Sequence, residues 1–227
     1  MRVAVIEDER RLAENIAASL REGSGYAVDI ARDGEEGLYL TTENHYDAVV
    51  LDLMLPKVAG PEVLKRMRAA GIRTPVLVLT AIDEIDSIVD LLNEGADDYM
   101  TKPFDLRELR ARLQTLIRRS QGLVSAKLVL GDLEMDMERA TVRRAGVALA
   151  MTPMEYKVLE YLMHRPGKVI SKSELLEHLY DFNWERFSNV IEVYIAGLRK
   201  KIDLASSTKL IHTLRGHGYV LREGESE

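Results

Sequence analysis

The chain has 227 residues, 46% apolar and 30% charged, the balance of a folded globular protein and not of a disordered or fibrous one, and its length accommodates two domains of ordinary size. No apolar run approaches the roughly 20 residues that cross a bilayer, MRVAVIEDER turns acidic too early for a secretory leader, and the lack of cysteine excludes disulfides, thiolate catalysis and cysteine-based zinc sites while suiting a reducing cytoplasm. Residues 1–120 carry the whole net charge of −6, whereas residues 121–227 sum to zero and hold a local excess of +5 between Arg186 and Arg222, so the halves are expected to do different jobs.

In chain order, Val3–Ile6, Tyr26–Ile30, Ala48–Leu51, Val76–Leu79 and Tyr99–Thr101 read as strands. Between and after them Arg10–Glu22, Glu35–Glu43, Pro61–Ala70, Ile85–Glu94 and Leu106–Arg119 have helical spacing. Five strand-then-helix units predict a parallel sheet with helices on both faces and a ligand site beyond the carboxyl ends of the strands. In DAVVLDLMLP, Asp52 closes a run buried on both sides, where an unpaired carboxylate costs several kcal/mol. The same sheet edge carries Glu7 and Asp8 after the first strand, Thr80 after the fourth and Lys102 after the fifth.

Clustered carboxylates at Glu7, Asp8 and Asp52 supply the hard oxygen ligands that Mg²⁺ prefers. Thr80 offers a hydroxyl and Lys102 a positive charge, both suited to a phosphoryl group on an aspartate acting as nucleophile. Taken singly, each has a plainer reading: an Asp after a strand is a turn residue or cap, Thr80 caps a helix, and Lys102 is a surface lysine. Their convergence on one edge favours a phosphorylation site with Asp52 as acceptor.

VIEDE, VVLDLMLPKVAG, PVLVLTA and GADDYMTKPF make residues 1–120 resemble a receiver domain of two-component response regulators. The resemblance implies a flavodoxin-like, doubly wound parallel five-stranded sheet and phosphotransfer to Asp52 from a sensor histidine kinase. It assigns Mg²⁺ to Glu7, Asp8, Asp52 and the backbone carbonyl of Met54, and makes Thr80 and Tyr99 the switch pair. It also implies a cis peptide bond before Pro103. Asp97, Asp98, Glu108, Arg112 and Arg119 fall on the face through which such receivers form homodimers. Ile88 and Asp90 depart there from the usual arginines, so Glu108 lacks a basic partner at Ile88 across the dimer, and Asp90 adds like charge.

Ser120–Ala126 is a short polar stretch and reads as a linker, followed by short β-like runs punctuated by glycine. Thr152, Pro153 and Glu155 form a capping-box signature for a helix ending near Arg165-Pro166-Gly167, and Ser171 with Glu174 opens a second. A third helix from about Ser188 to Ile202 places Ile191, Ile195, Leu198 and Ile202 on one core face. Ser188, Asn189, Glu192, Ala196, Arg199 and Lys200 are left more or less outward. TLRGHGYVL then reads as a turn between two strands. Three helices and a hairpin with a basic bias form a winged helix-turn-helix pattern.

TPMEYKVLEYLMHRPGKVISKSELLEHLY, SNVIEVYIAGLRKKID and LRGHGYVL resemble the effector domain of the OmpR/PhoB family. The implied organisation is a receiver at 1–119, a linker at 120–126 and an α+β winged-helix DNA-binding domain at 127–224, the last built from a four-stranded sheet, three helices and a wing. By this resemblance the helix from Ser188 enters the major groove of double-stranded promoter DNA, with Ser188, Asn189 and Glu192 on its groove side. Arg215 reaches the minor groove, and Arg199, Lys200 and Thr213 meet phosphates. Leu179–Phe187 corresponds to the segment that touches RNA polymerase. Ala196 and Gly197 stand where relatives carry basic residues, so the groove face is bare.

The function these readings imply is a cytoplasmic, non-enzymatic transcription regulator that is phosphorylated on Asp52, dimerises and binds DNA. One competing reading is a phosphatase of the haloacid-dehalogenase kind, but Met54 stands where it needs a second acid. Another is a phosphorylation-independent DNA-binding protein with the receiver as a dimer module; the complete set of Glu7, Asp8, Asp52, Thr80 and Lys102 speaks against it.

Overall fold

The computed structural model describes residues 1–81, 85–122, 125, 127–137, 139–179, 189–203 and 208–224, with the backbone alone at 85–88. The chain divides into two compact units, Met1–Ser120 and Gln121–Glu227.

The first unit alternates strand and helix: β1 (Arg2–Ile6), α1 (Arg10–Ser24), β2 (Ala27–Ala31), α2 (Gly34–Glu43), β3 (Ala48–Asp52), α3 (Gly60–Ala69), β4 (Val76–Thr80), α4 (Ile85–Asn93), β5 (Asp98–Thr101) and α5 (Leu106–Ser120). The strands form one parallel sheet in the order β2-β1-β3-β4-β5, the flavodoxin-like arrangement. β1, β3 and β4 are buried along their whole length, as expected of apolar runs covered by helices on both faces. α1 buries Ala13, Ile16, Ala17 and Leu20, spaced three and four apart.

Most boundaries of these elements differ from the sequence reading by one or two residues, and hydrogen bonding accounts for two of the shifts. β2 begins at Ala27 because Gly25, left-handed at φ 66, and Tyr26 both donate their amides to Leu20 O, prolonging the helix end. Ser120, placed in the linker by its polarity, is the last residue of α5, and its hydroxyl donates to Ile117 O at 2.9 Å.

The second unit opens with an antiparallel sheet of β6 (Lys127–Leu130), β7 (Leu133–Asp136), β8 (Thr141–Arg144) and β9 (Val147–Leu149). Alternation buries Leu128, Met135 and Val142 on one face. Helices α6 (Pro153–Met163), α7 (Lys172–Leu179) and α8 (Val190–Ile202) follow, then the hairpin β10 (Ile211–Leu214) and β11 (Gly218–Leu221). The capping box forms as read: Glu155 N donates to Thr152 Oγ1 at 3.3 Å, and Thr152 N to a Glu155 carboxylate oxygen at 2.7 Å. Ser171 caps α7 by accepting from Glu174 N at 3.0 Å. Ile170 exchanges amide hydrogen bonds with Tyr219, binding the segment before α7 to the hairpin.

Buried Arg144 fixes the far end of α8. Its guanidinium donates to Ile202 O and Thr208 O at 3.2 and 2.6 Å and pairs with Asp132 at 2.8 Å. Among the described residues, no helix is long and apolar enough to cross a membrane.

Candidate phosphoacceptor site and nucleic-acid interface

The carboxyl ends of β1, β3 and β5 bring Glu7, Asp52 and Lys102 together. Lys102 Nζ lies 2.9 Å from Glu7 Oε2 and 2.7 Å from Asp52 Oδ2. Both carboxylates are buried, while Asp8 is exposed at the rim, and ligand oxygens of the three acids lie within 4.8 Å of one another. Thr80, also buried, ends β4 and accepts the Lys102 amide on its carbonyl at 2.7 Å. The Lys102–Pro103 peptide is cis.

Electrostatics explains why this cluster persists. Burial pushes the Glu7 carboxyl up, the charge of neighbouring Asp52 pushes it further, and hydrogen bonding to Lys102 offsets only part of the rise. Burial alone would lower the Lys102 ammonium, but its bonds to Asp52 and Glu7 outweigh that and leave it raised. One lysine thus serves as the shared counter-ion of two buried acids and leaves excess negative charge, with the exposed Asp8 oxygen beside them. The all-oxygen donor set fits a hard divalent cation such as Mg²⁺.

The loop after β3 is held closely. Met54 N donates to Asp52 Oδ1 at 3.2 Å, while the Met54 side chain is 70% exposed at the mouth. At Gly60 a Cβ would stand 2.2 Å from Asp52 O, so only glycine lets α3 start against the end of β3. Lys57, left-handed at φ 64, pairs with Asp33 at 2.7 Å, and Asp33 also caps α2 through Glu36 N. Sequence reasoning missed the Lys57–Asp33 pair.

In the second unit α8 turns its apolar face inward as read: Ile191, Ile195, Leu198 and Ile202 are buried. Asn189 is exposed at the helix start and does not cap it with its side chain. Glu192 is half-buried and ion-paired with Lys172 of α7, whose hydrogen bond holds its carboxyl below the usual range. Ala196 and Lys200 are exposed, as are Thr213 and Arg215 on the hairpin. Arg199 is directed into the chain, onto Ile211 O and Thr213 Oγ1. An open cleft of about 620 Å³ between α8 and the hairpin is lined by residues including Glu192, Ala196, Arg199, Lys200, Lys209 and Thr213. Gly197 is not a bare groove position: a Cβ there would meet Glu155 Oε1 at 2.5 Å. Ser188 and all but the first residue of the Leu179–Phe187 segment lie outside the described residues.

Residues 3–114 match the response regulator receiver domain, and residues 146–221 the C-terminal domain of transcriptional regulatory proteins. The response regulator MprA of Mycobacterium sp. (strain KMS) is 42% identical over 226 residues, 98% of each chain. The two-component response regulator PhoP of Pseudomonas aeruginosa is 40% identical over 223 residues, 98% of this chain and 99% of that one. The chain belongs to the OmpR/PhoB family of response regulators. Among solved structures, the receiver domain of Francisella response regulator 1452 has a TM-score of 0.51 at 38% identity, covering 52% of this chain and 98% of that one.

Against that family background, the α4-β5-α5 face of this response regulator is heavily paired within the chain. Asp97 accepts from Arg68 at 2.9 Å and from Val76 N at 2.8 Å. Arg112 bridges Asp98 at 2.9 Å and Glu108 at 2.8 Å. Arg119 and Asp90 are exposed, and α4 also exposes Val89 and Leu92. The side chain of Ile88 lies outside the described residues. Tyr99 is half-buried and packs on the apolar cluster that includes Val78, Leu91 and Ala96.

Proposed function

We propose that this response regulator accepts a phosphoryl group on Asp52 from the phosphohistidine of a sensor histidine kinase and thereby controls its binding to promoter DNA. The observation that carries the reading is Lys102 Nζ lodged between Glu7 and Asp52, with the Asp8 oxygen completing a compact acid cluster. An Asp52 carboxylate oxygen attacks phosphorus as the P–N bond of the donor breaks, and the imidazole leaves. Glu7, Asp8, Asp52 and the Met54 carbonyl would hold Mg²⁺, which supplies positive charge to the transferring group. Lys102 exchanges its contact with the carboxylate for one with the new phosphoryl oxygens. Thr80, at the adjacent strand end, offers its hydroxyl to the same group, and Tyr99 turns inward as it moves.

The phosphorylated receiver forms a symmetric homodimer through α4-β5-α5, drawing on Ile88, Asp97, Asp98, Glu108, Arg112 and Arg119. Exposed ion pairs contribute only about 0–1 kcal/mol each, and four of these residues already have partners in their own subunit. The apolar side chains of α4 therefore carry much of the association. The second unit binds duplex DNA through Ser188, Asn189, Glu192, Lys200, Thr213 and Arg215, with Arg199 alongside, and recruits RNA polymerase in the cytoplasm. The protein is a regulator and not an enzyme.

Phosphate incorporation from acetyl phosphate tests the reading. Wild-type protein is labelled only with Mg²⁺ present, and Asp52→Asn, nearly equal in volume, folds and is not labelled. Stoichiometric labelling of Asp52→Asn elsewhere defeats it. The label decays over minutes to hours, because the Met54 thioether is a poor partner for an attacking water.

A further inference from the structure

Arg199 and Lys200 are neighbours on α8; Lys200 is exposed, whereas Arg199 is half-buried and its guanidinium is engaged within the chain. The Arg199 guanidinium crosses to the hairpin, where Nε and Nη2 both donate to Ile211 O at 3.1 Å and Nη2 also donates to Thr213 Oγ1 at 2.7 Å. β10 has β11 on one side and no strand on the other among the described residues. An edge-strand carbonyl needs a donor, and a forked cation on α8 supplies one. The Thr213 hydroxyl has one hydrogen to donate and two lone pairs. With a cation at 2.7 Å on a lone pair, its hydrogen is left for another acceptor and is polarised toward it. Arg215 stands two residues further along the same strand and turn, so whatever fixes β10 against α8 also fixes Arg215.

We propose that Arg199 is a positioning residue for DNA binding: it fastens the wing strand to α8 and orients the Thr213 hydroxyl as the donor to a backbone phosphate, without contacting phosphate itself. The proposal rests on the DNA-binding reading above. It also explains why a forked side chain stands here. A lysine would carry the same charge but could not engage the carbonyl and the hydroxyl in one planar geometry.

The test measures affinity of the full chain by fluorescence anisotropy across a range of salt concentrations. The probe is a duplex that the protein itself selects from a random-sequence pool. Lys200→Ala lowers the slope of log affinity against log salt by about one, as loss of a phosphate contact should. Arg199→Gln weakens binding about tenfold, the scale of hydrogen bonds to a charged group, with the slope unchanged. Arg199→Lys does not rescue it, and adding Thr213→Val to Arg199→Gln costs nothing more. Arg215→Ala matters less in the Arg199→Gln background than in wild type, which a purely stabilising role for Arg199 would not produce. Wild-type affinity in Arg199→Lys, or a slope reduced by about one in Arg199→Gln, overturns the proposal. If Arg199→Gln melts below the assay temperature, Arg199→Lys decides alone. If Lys200→Ala and Arg215→Ala both leave binding unchanged, the DNA-binding reading itself has failed, a separate result.

Discussion

In the receiver, three strands from distant parts of the chain deliver Glu7, Asp52 and Lys102 into a buried cluster whose members have each other as partners. In the winged-helix unit, Asn189, Lys200 and Arg215 stand exposed on a helix and a turn, and the cations beside them are engaged with the protein: Arg199 on the wing, Lys172 on Glu192, Lys201 on Glu155. The contrast concerns what fixes a functional group. A buried charge is fixed by its counter-charges, so each member of the acid site is indispensable to the others. A surface charge is available for a ligand only if no neighbour in the chain has claimed it.

Removing Lys102 breaks this pattern most severely. Lys102→Met leaves two buried carboxylates without their common cation, and losing one partner of a buried pair typically costs about 3 kcal/mol or more. Urea unfolding in the presence of a chelator should show a loss of that size, against less than about 1 kcal/mol for Lys200→Ala. Equal losses would show that the acid site is solvated more freely than its geometry indicates.

Two glycines sharpen the contrast. A Cβ at Gly60 meets main chain at Asp52 O and Leu53 Cα, 2.2 and 2.6 Å away, whereas one at Gly197 meets the end of the Glu155 side chain. Backbone cannot yield without displacing Asp52 itself, so Gly60→Ala should cost about 2–3 kcal/mol and slow phosphorylation. At Gly197, displacing a side chain is offset by the roughly 1 kcal/mol that alanine contributes in a helix interior. Gly197→Ala should therefore lie within about 0.5 kcal/mol of wild type in thermal unfolding, with DNA affinity retained.

On DNA, Arg215→Ala should cost about 1–3 kcal/mol on the preferred site and less on unrelated duplex, if the side chain reads a groove. Lys200→Ala should weaken both equally. An equal loss on both duplexes for Arg215→Ala would make Arg215 a phosphate contact instead.

Legibility in the sequence follows the same division. β1, β3 and β4 of the receiver were readable because each is built on a continuous apolar run, and Glu7, Asp52 and Thr80 because each follows directly on such a run. The core face of α8 was readable from its spacing. The engagement of Arg199 with the wing was not, since it depends on the approach of two segments twelve or more residues apart, and neither helix periodicity nor charge count encodes that distance. The own-subunit pairs of Asp97 and Arg112 were hidden for the same reason: sequence places charges on a face without saying which of them already meet. Gly197 reads as a missing base-reading residue until Glu155, 42 residues earlier, is seen beneath it.

The smallest effect separates the two units by pH. Asp105 precedes α5 and accepts from the Arg107 amide at 2.7 Å and from its guanidinium, so it caps the helix. The Arg107 side chain first, and its amide second, hold the Asp105 carboxyl at about 2, below its ordinary 3.8. A depressed acid contributes stability that is present above the unfolded value and lost as pH falls through the folded one, so this contribution fades between about pH 4 and pH 2. The equivalent cap in the second unit, Thr152, has no charge to lose. Asp105→Asn keeps a capping oxygen but does not titrate. The stability difference between wild type and Asp105→Asn should therefore shrink over that acid range, while Thr152→Ser shows no comparable trend. A carboxyl-carbon NMR titration checks the premise directly: a midpoint near 3.8 for Asp105 would mean that the fork to Arg107 does not persist in solution.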